Sequence, residues 1–339
     1  MGCLQPVVTL NLIVALKVEV MLASMHRRVM ETIQRNFCAT IERSSETPVL
    51  PLDPTMLRSI LERERCVVFS GFDASIEDFE NITGALSNDF HAYRGGGFTV
   101  GKLSRSTVNN NSTLMTATGS TQDFPLPLHG EMYYLNQPPD LIWFYCQVPV
   151  SEGGQTTIGD ARQIFQDLST RTQELLRERK IRYERRMDDG DWQVTFQTES
   201  RAEVEEFCKG QGLEIIWAED GTAITYFYTS ALREDAANAP AFINSLLIVA
   251  LGEQAMRSTK DIKLNFIVRW EDGSPIAQEI LDEINRVCAR NEIEVSWQRG
   301  DIILVDNRSV MHGRRGSNDK DRKILVRMGT LSAANAPTA

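Results

Sequence analysis

Apolar runs of strand length stand near both ends of this chain with helical patterns between them, an order that a regular βαβ array does not produce. Cys66–Phe72 (CVVFSGF) reads as a buried strand ending at Gly71, and Leu141–Val148 (LIWFYCQV) as a β-branched and aromatic strand closed by Pro149 and a Gly153-Gly154 turn. The last third alternates strands and turns: Lys263–Trp270, Glu294–Trp297, Asp301–Asp306 after Gly300, and Lys323–Met328. Helices fall between. Pro54 behind an Asp53 N-cap opens one, Ile76–Leu86 is a second, and Ala161–Arg177 is a third. A Ser200/Glu203 capping box precedes Ala202–Lys209, and Ser274-Pro275 opens a last helix running to about Arg290. The fold class expected is mainly β with helical insertions, an antiparallel core for which a jelly roll, or double-stranded β-helix, fits best.

At roughly 150 residues per domain, 339 residues allow two domains, yet decorated β-folds of this size form one. One core is expected over residues 46–332. Residues 1–45 read as a poorly ordered N-terminal extension with a helix around Met25–Asn36, Ser44–Pro54 as a linker, and Ala333–Ala339 as a frayed tail. The Ser/Thr/Asn-rich segment Ser104–Thr121 reads as loop or lid, since it buries too little apolar surface to offset its ordering entropy.

The chain carries 36 Lys and Arg against 46 Asp and Glu, a balance of −10, with no basic tract. Such a charge disfavours a nucleic-acid backbone or an anionic membrane as the main partner. Six scattered cysteines without a C-x-x-C pair disfavour a zinc ribbon, an iron–sulfur cluster or a disulfide scaffold, so reduced thiols in a cytoplasmic protein are expected. The apolar stretch Pro6–Leu16 meets Lys17 and Glu19 too soon to span a membrane and lacks the marks of an export signal. A small molecule, free or presented by a carrier protein, is the expected partner, and a homo-oligomer stays open.

Chemistry concentrates on two of the four histidines. His129 precedes Glu131 by two residues, and on a strand that spacing places both on one face. His312 follows the strand Asp301–Asp306. Two imidazoles and one carboxylate on one side of a metal leave its other side open, which is the ligand set of non-haem Fe(II) oxygenases. An H-x-E pair alone is more often a surface pair, but the second histidine and the basic cluster beyond it, Arg322-Lys323 and Arg327, weigh against that. An Arg fork beside a metal grips the distal acid of a chelating dicarboxylate, although solvated strand ends are the plainer reading of that cluster. Arg314 and Arg315 read as solvated loop charges. Tyr133 and Tyr134 either line a pocket or pack a core, while Met132, Met311, Met328, Trp143, Trp270 and Trp297 read as core.

Five blocks in order, LPLHGEMYY, GGQTTIGDAR, DGDWQVTFQTESRAEVEEFC, WQRGDIILVDNRSVMHGRRG and DRKILVRM, resemble the TauD/TfdA family of Fe(II)- and 2-oxoglutarate-dependent dioxygenases from about Val49 to Gly329. The H-x-E form is closest to the clavaminate synthase-like and SyrP-like branch. The resemblance implies a clavaminate synthase-like jelly roll with iron held by His129, Glu131 and His312. It places 2-oxoglutarate on Thr156 and an Arg after the second His, Arg322 first. The interval from His312 to Arg322 is short for the family, which leaves Lys323 or Arg327 as alternatives, and Arg327 equally able to face the substrate. Dioxygen and 2-oxoglutarate would be consumed, succinate and carbon dioxide released, and a substrate C–H bond oxidised. Glu131 fills the position that halogenating relatives leave to a halide, so hydroxylation, desaturation or cyclisation of a small amino-acid-like or carrier-bound metabolite is expected, in specialised biosynthesis. Thr229–Ala250 departs from the family pattern on the substrate side. A zinc hydrolase on the same ligands would lack the usual H-E-x-x-H helix, and a catalytically silent metabolite-binding jelly roll is the remaining alternative.

Overall fold

The computed structural model describes residues 37–45, 47, 49–97, 105–117, 124–150, 152–234, 238–257 and 265–333. The helix expected around Met25–Asn36 lies outside these residues. In chain order the first half comprises β1 (Ala39–Glu42), α1 (Pro54–Glu64), β2 (Cys66–Ser70), α2 (Ile76–Leu86), β3 (Asp89–Phe90), β4 (Thr107–Val108), β5 (Asn111–Thr116), β6 (Leu126–His129), β7 (Leu141–Val148), β8 (Thr156–Asp160), α3 (Ala161–Asp167) and α4 (Thr170–Glu178). The second half comprises β9 (Lys180–Met187), α5 (Asp191–Phe196), α6 (Arg201–Gly210), β10 (Glu214–Trp217), β11 (Ala223–Ser230), β12 (Arg233–Glu234), β13 (Pro240–Ala241), α7 (Leu246–Arg257), β14 (Phe266–Trp270), α8 (Gln278–Asn291), β15 (Glu292–Val295), β16 (Ile302–Asp306), β17 (Val310–Arg314) and β18 (Lys323–Thr330).

Two sheets make the expected jelly roll. The larger runs β1-β2-β16-β7-β18-β5-β4, with β3 also on β18, and the smaller runs β15-β8-β17-β6. Strands from the two ends of the chain therefore alternate: β7 lies between β16 and β18, antiparallel to both. Period-two geometry sends alternate side chains of the larger sheet to opposite sides. Ile142, Phe144 and Cys146 of β7 join Ile303, Val305, Ile324, Val326 and Met328 in one buried cluster with Leu128 and Ile158 of the smaller sheet. Leu141, Trp143 and Tyr145 join Ile302, Leu304 and Leu325 beneath Leu57, Leu61, Phe79 and Ile82 of α1 and α2. Both faces are covered, which is why these strands are almost unbroken apolar runs. A third sheet, β10-β11-β9-β14, and the β12-β13 pair are inserted between β8 and β15.

Local chemistry explains where the elements differ from expectation. The helix expected over Ala161–Arg177 breaks in two because Ser169 caps α4, its side chain accepting from the Thr172 N–H. The segment expected as loop or lid, Ser104–Thr121, forms the β4-β5 hairpin over its described residues. Asn109 and Asn110 take φ of 53° and 58°, the two left-handed positions of a type I′ turn, and Leu114 and Met115 are buried. The strand β1 precedes the linker-like stretch and pairs in parallel with β2, so the sheet begins upstream of residue 46. The five described cysteines form no disulfide. Among the described residues no helix is long and apolar enough to cross a membrane.

The outer layer can be tested apart from the site. Leu61 is 1% exposed beneath the larger sheet. Leu61→Ala should lower the unfolding free energy by about 2–5 kcal/mol in urea titration, through lost transfer energy and the cavity left behind.

Candidate active site

His129 is the last residue of β6 and His312 the central residue of β17. The strands pair antiparallel with these two as direct partners, and the imidazole centroids lie 4.4 Å apart. Glu131 is not on the strand. It opens a turn just beyond it, in which Met132 takes φ 60°, so the expected shared strand face is not what brings the carboxylate to the histidines. The turn is. Oε2 of Glu131 lies 3.6 Å from Nε2 of His312, and one donor atom from each of His129, Glu131 and His312 falls within 4.8 Å of the others. This is the one such cluster among the described residues.

The turn is held by residues far away in sequence. Asn244 O accepts from the Gly130 N–H at 2.8 Å, and Ser245 Oγ donates to Gly130 O at 2.9 Å. Asn307 Oδ1 accepts from the Glu131 N–H at 2.8 Å while its Nδ2 donates to Glu131 O at 3.1 Å. Tyr133, through its hydroxyl, donates in turn to Asn307 O. A Cβ on residue 130 would lie 2.5 Å from the Tyr133 ring and 3.1 Å from Ile243, so only glycine fits between the two ligands. The unusual stretch Thr229–Ala250 thus includes part of this clamp. Asn307, fully buried, was not singled out in the sequence; its adjacency to Asp306 and Arg308 gives it no periodicity of its own.

The protonation states suit a cation. Nδ1 of His129 lies 2.8 Å from Pro127 O, which assigns the proton to Nδ1 and leaves Nε2 with its lone pair toward the cluster. Burial, then the adjacent His312 ring, pushes the His129 imidazole down to about 3, so it is neutral near pH 7. Burial opposes ionisation of Glu131, but Arg105 at 2.8 Å, together with His312, outweighs it and holds the carboxyl below its usual range. Two imidazoles, His129 held neutral, and an ionised carboxylate converging from one side fit a divalent ion with open positions.

The other expected residues separate into two places. Thr156 opens β8 beside Arg314 of β17, and its Oγ1 accepts from Trp297 Nε1 at 3.1 Å. Arg322 is buried, donates from Nε to Gly154 O at 2.9 Å, and is pushed down to about 10 by burial and by the like charge of Arg314. A Cβ on Gly154, whose φ is 66°, would meet the Arg322 side chain at 2.9 Å. Arg314 is therefore a buried part of this region and not a solvated loop charge, whereas Arg315 pairs with Glu292 and Glu294. Lys323 is exposed. Arg327 points to the far face of β18: Nη1 donates to Thr83 Oγ1 at 2.7 Å, and its guanidinium lies 3.5 Å from the Phe90 centroid. Tyr134 accepts from the Gly97 N–H and sits 3.3 Å from the Tyr93 hydroxyl, with its ring against Phe266.

A jelly roll that carries two histidines and a carboxylate in this arrangement defines the class of mononuclear non-haem oxygenases. Residues 34–328 match the family described as taurine catabolism dioxygenase TauD, TfdA family, and the chain belongs to that family of Fe(II)- and 2-oxoglutarate-dependent dioxygenases. Among curated relatives, a clavaminate synthase-like protein of Arabidopsis thaliana is 27% identical over 285 residues, 80% of this chain and 83% of the relative. The dapdiamide synthesis protein DdaC of Enterobacter agglomerans is 26% identical over 270 residues, 76% and 79% of the two chains. Among solved structures, a taurine dioxygenase from Burkholderia xenovorans superposes with a TM-score of 0.54 at 12% identity over 89% of each chain. PvcB of Pseudomonas aeruginosa gives 0.53 at 15% identity over 88% and 87%.

Two outcomes follow from the clamp and the charges. Asn307→Ala leaves two buried backbone groups of Glu131 without partners and should weaken divalent-metal binding by about 10–100-fold in calorimetric titration. The unfolded chain binds the His129 proton more readily than the folded one, so this group's contribution to stability is complete above its ordinary value of 6.5 and is lost as pH falls from there toward 3. Urea titrations of metal-free protein from pH 7 to 5 should lose up to about 1.4 kcal/mol per unit from this group, and His129→Gln should flatten that slope.

Proposed function

We propose that the enzyme oxidises a C–H bond of a small amino-acid-like or carrier-bound metabolite, hydroxylation foremost, in a biosynthetic pathway. The observation that carries this reading is the convergence of His129, Glu131 and His312 within 4.8 Å at one end of paired strands. These residues would hold Fe(II), and Thr156 and Arg322 would hold 2-oxoglutarate. Bound there, iron and 2-oxoglutarate supply the oxidising chemistry, with dioxygen consumed and succinate and carbon dioxide released.

The chain's own residues supply position and charge. Pro127 O fixes the His129 tautomer and Asn307 fixes the Glu131 backbone, so the donors need little reorganisation. Buried Arg314 and Arg322 make the region beside Thr156 favourable for the distal carboxylate of a dicarboxylate, which would relieve their mutual repulsion. Phe144, 5.2 Å from His312 between centroids, and the apolar core beneath it exclude water from one side of the cluster. Glu131 occupies the carboxylate position, which supports oxygenation over halogenation. The biosynthetic setting is supported by the names of relatives, one clavaminate synthase-like and one in dapdiamide synthesis, and by the description of PvcB as an Fe, alpha-ketoglutarate dependent oxygenase from an isonitrile synthetic pathway.

A screen of free amino acids, peptides and carrier-bound amino acids, scored by iron-dependent succinate release, tests the reading. At least one class should raise succinate above the substrate-free level, and Glu131→Ala should lower that turnover by more than about a hundredfold, since loss of a ligand exceeds loss of its outer support. Full turnover by Glu131→Ala would contradict the ligand assignment.

A further inference from the structure

Oε2 of Glu131 lies 3.6 Å from Nε2 of His312 and 2.8 Å from Nη2 of Arg105. The first marks the side from which a metal ion would approach. The second is a guanidinium drawing on the same carboxylate oxygen that faces His312. Among the described residues Glu131 is the one carboxylate paired with Arg105. Among the described residues the other contacts of Arg105 are the Tyr93 ring, 4.3 Å from Cζ to centroid, and Sδ of Met328 at 3.5 Å, and neither carries a formal charge. On β18, Ile324, Val326 and Met328 turn inward while Arg327 turns outward onto α2. The cation on the inner face of that strand is thus delivered by Arg105, from the segment that leads into β4.

A divalent ion at the cluster would draw charge from the same oxygen that Arg105 holds and so weaken that ion pair. Resting on the metal-centre reading above, we infer that Arg105 is a carboxylate receptor coupled to metal loading. The ion takes Oε2 of Glu131, the guanidinium is displaced from it, and the freed fork holds a carboxylate of the organic substrate against Tyr93 and Met328. A planar fork matches a carboxylate bidentately, and a desolvated guanidinium left without an anion is costly. Within the classes proposed above, this selects a free acid, such as an amino acid with its carboxylate unmodified, over an acid tethered to a carrier through that same group.

The test needs only metal and a simple anion. Mn(II) is titrated calorimetrically into chelator-treated full-length wild type and Arg105→Met, whose unbranched apolar chain preserves the contacts with Tyr93 and Met328. The variant should bind Mn(II) about tenfold tighter or more, because no charge-assisted hydrogen bond has to be broken. Equal or weaker binding overturns the inference, since Arg105 would then merely steady the carboxylate. Sodium acetate, compared with chloride at equal ionic strength, should tighten Mn(II) binding to wild type and not to Arg105→Met, because linkage makes the coupling reciprocal. An acetate effect equal in both proteins, or absent from both, overturns the receptor role. Should Arg105→Met lose its near-ultraviolet circular dichroism, Arg105→Gln is held to the same outcomes. If folded wild type and variant both fail to bind Mn(II), the metal-centre reading itself fails and carries this inference down with it, an outcome distinct from equal binding by the two.

Discussion

The register of β6 against β17 is the constraint on which the rest of the site depends. His129 and His312 face each other across that ladder because β17 is held on its other side by β8, with His312 opposite Ile158. A slip of one residue would turn His312 to the opposite face and dissolve the pair. The register shifts between His312 and Arg314, so the histidine pair stands at the end of the ladder next to an irregularity, while β8 holds β17 in regular register through Arg314. The core between the sheets, with Leu128 and Ile158 on one side and Phe144 and Met328 on the other, locks that alignment through close packing.

On that frame the third ligand is placed by a turn and not by a strand, and its position is maintained by backbone hydrogen bonds from Asn244, Ser245 and Asn307. Helical insertion and jelly roll therefore meet at Gly130: the stretch leading into α7 clasps the turn from one side and the loop between β16 and β17 clasps it from the other. The electrostatics follow the same division. A neutral His129 and an ionised Glu131 coexist in a buried site because burial, His312 and Arg105 all disfavour a charge on the imidazole, while Arg105, paired with Glu131, favours the carboxylate. A second group of buried cations, Arg314 opposite Thr156 and Arg322 against Gly154, lies where β8 begins.

Much of this was legible in the amino-acid sequence. The strand Leu141–Val148 and the helix Ile76–Leu86 agree with expectation to the residue, because a closing Pro149 and a Ser75 capping box leave little freedom at their ends. His129, Glu131 and His312 were identifiable as a ligand set, although the i and i+2 argument for the first pair did not survive the turn at Glu131. The rest depended on information that periodicity does not carry. Both faces of β18 are buried, so alternation could not tell that Arg327 points away from Met328 and toward Thr83. The Asn109-Asn110 turn was present as a polar dipeptide, but a segment judged by composition hid two strands and Arg105. The strand β9 was missed because Arg182, Glu184 and Arg186 line one face and Arg185 breaks the apolar alternation of the other, where Ile181 and Tyr183 are buried.

The claim that strand register assembles a three-ligand metal centre is tested most directly by diffraction at the manganese absorption edge from crystals loaded with Mn(II). The account predicts a single anomalous peak bonded to one nitrogen of His129, one nitrogen of His312 and a carboxylate oxygen of Glu131, with Nδ1 of His129 still on Pro127 O. A peak elsewhere, or one that any of these three side chains fails to reach, would contradict it.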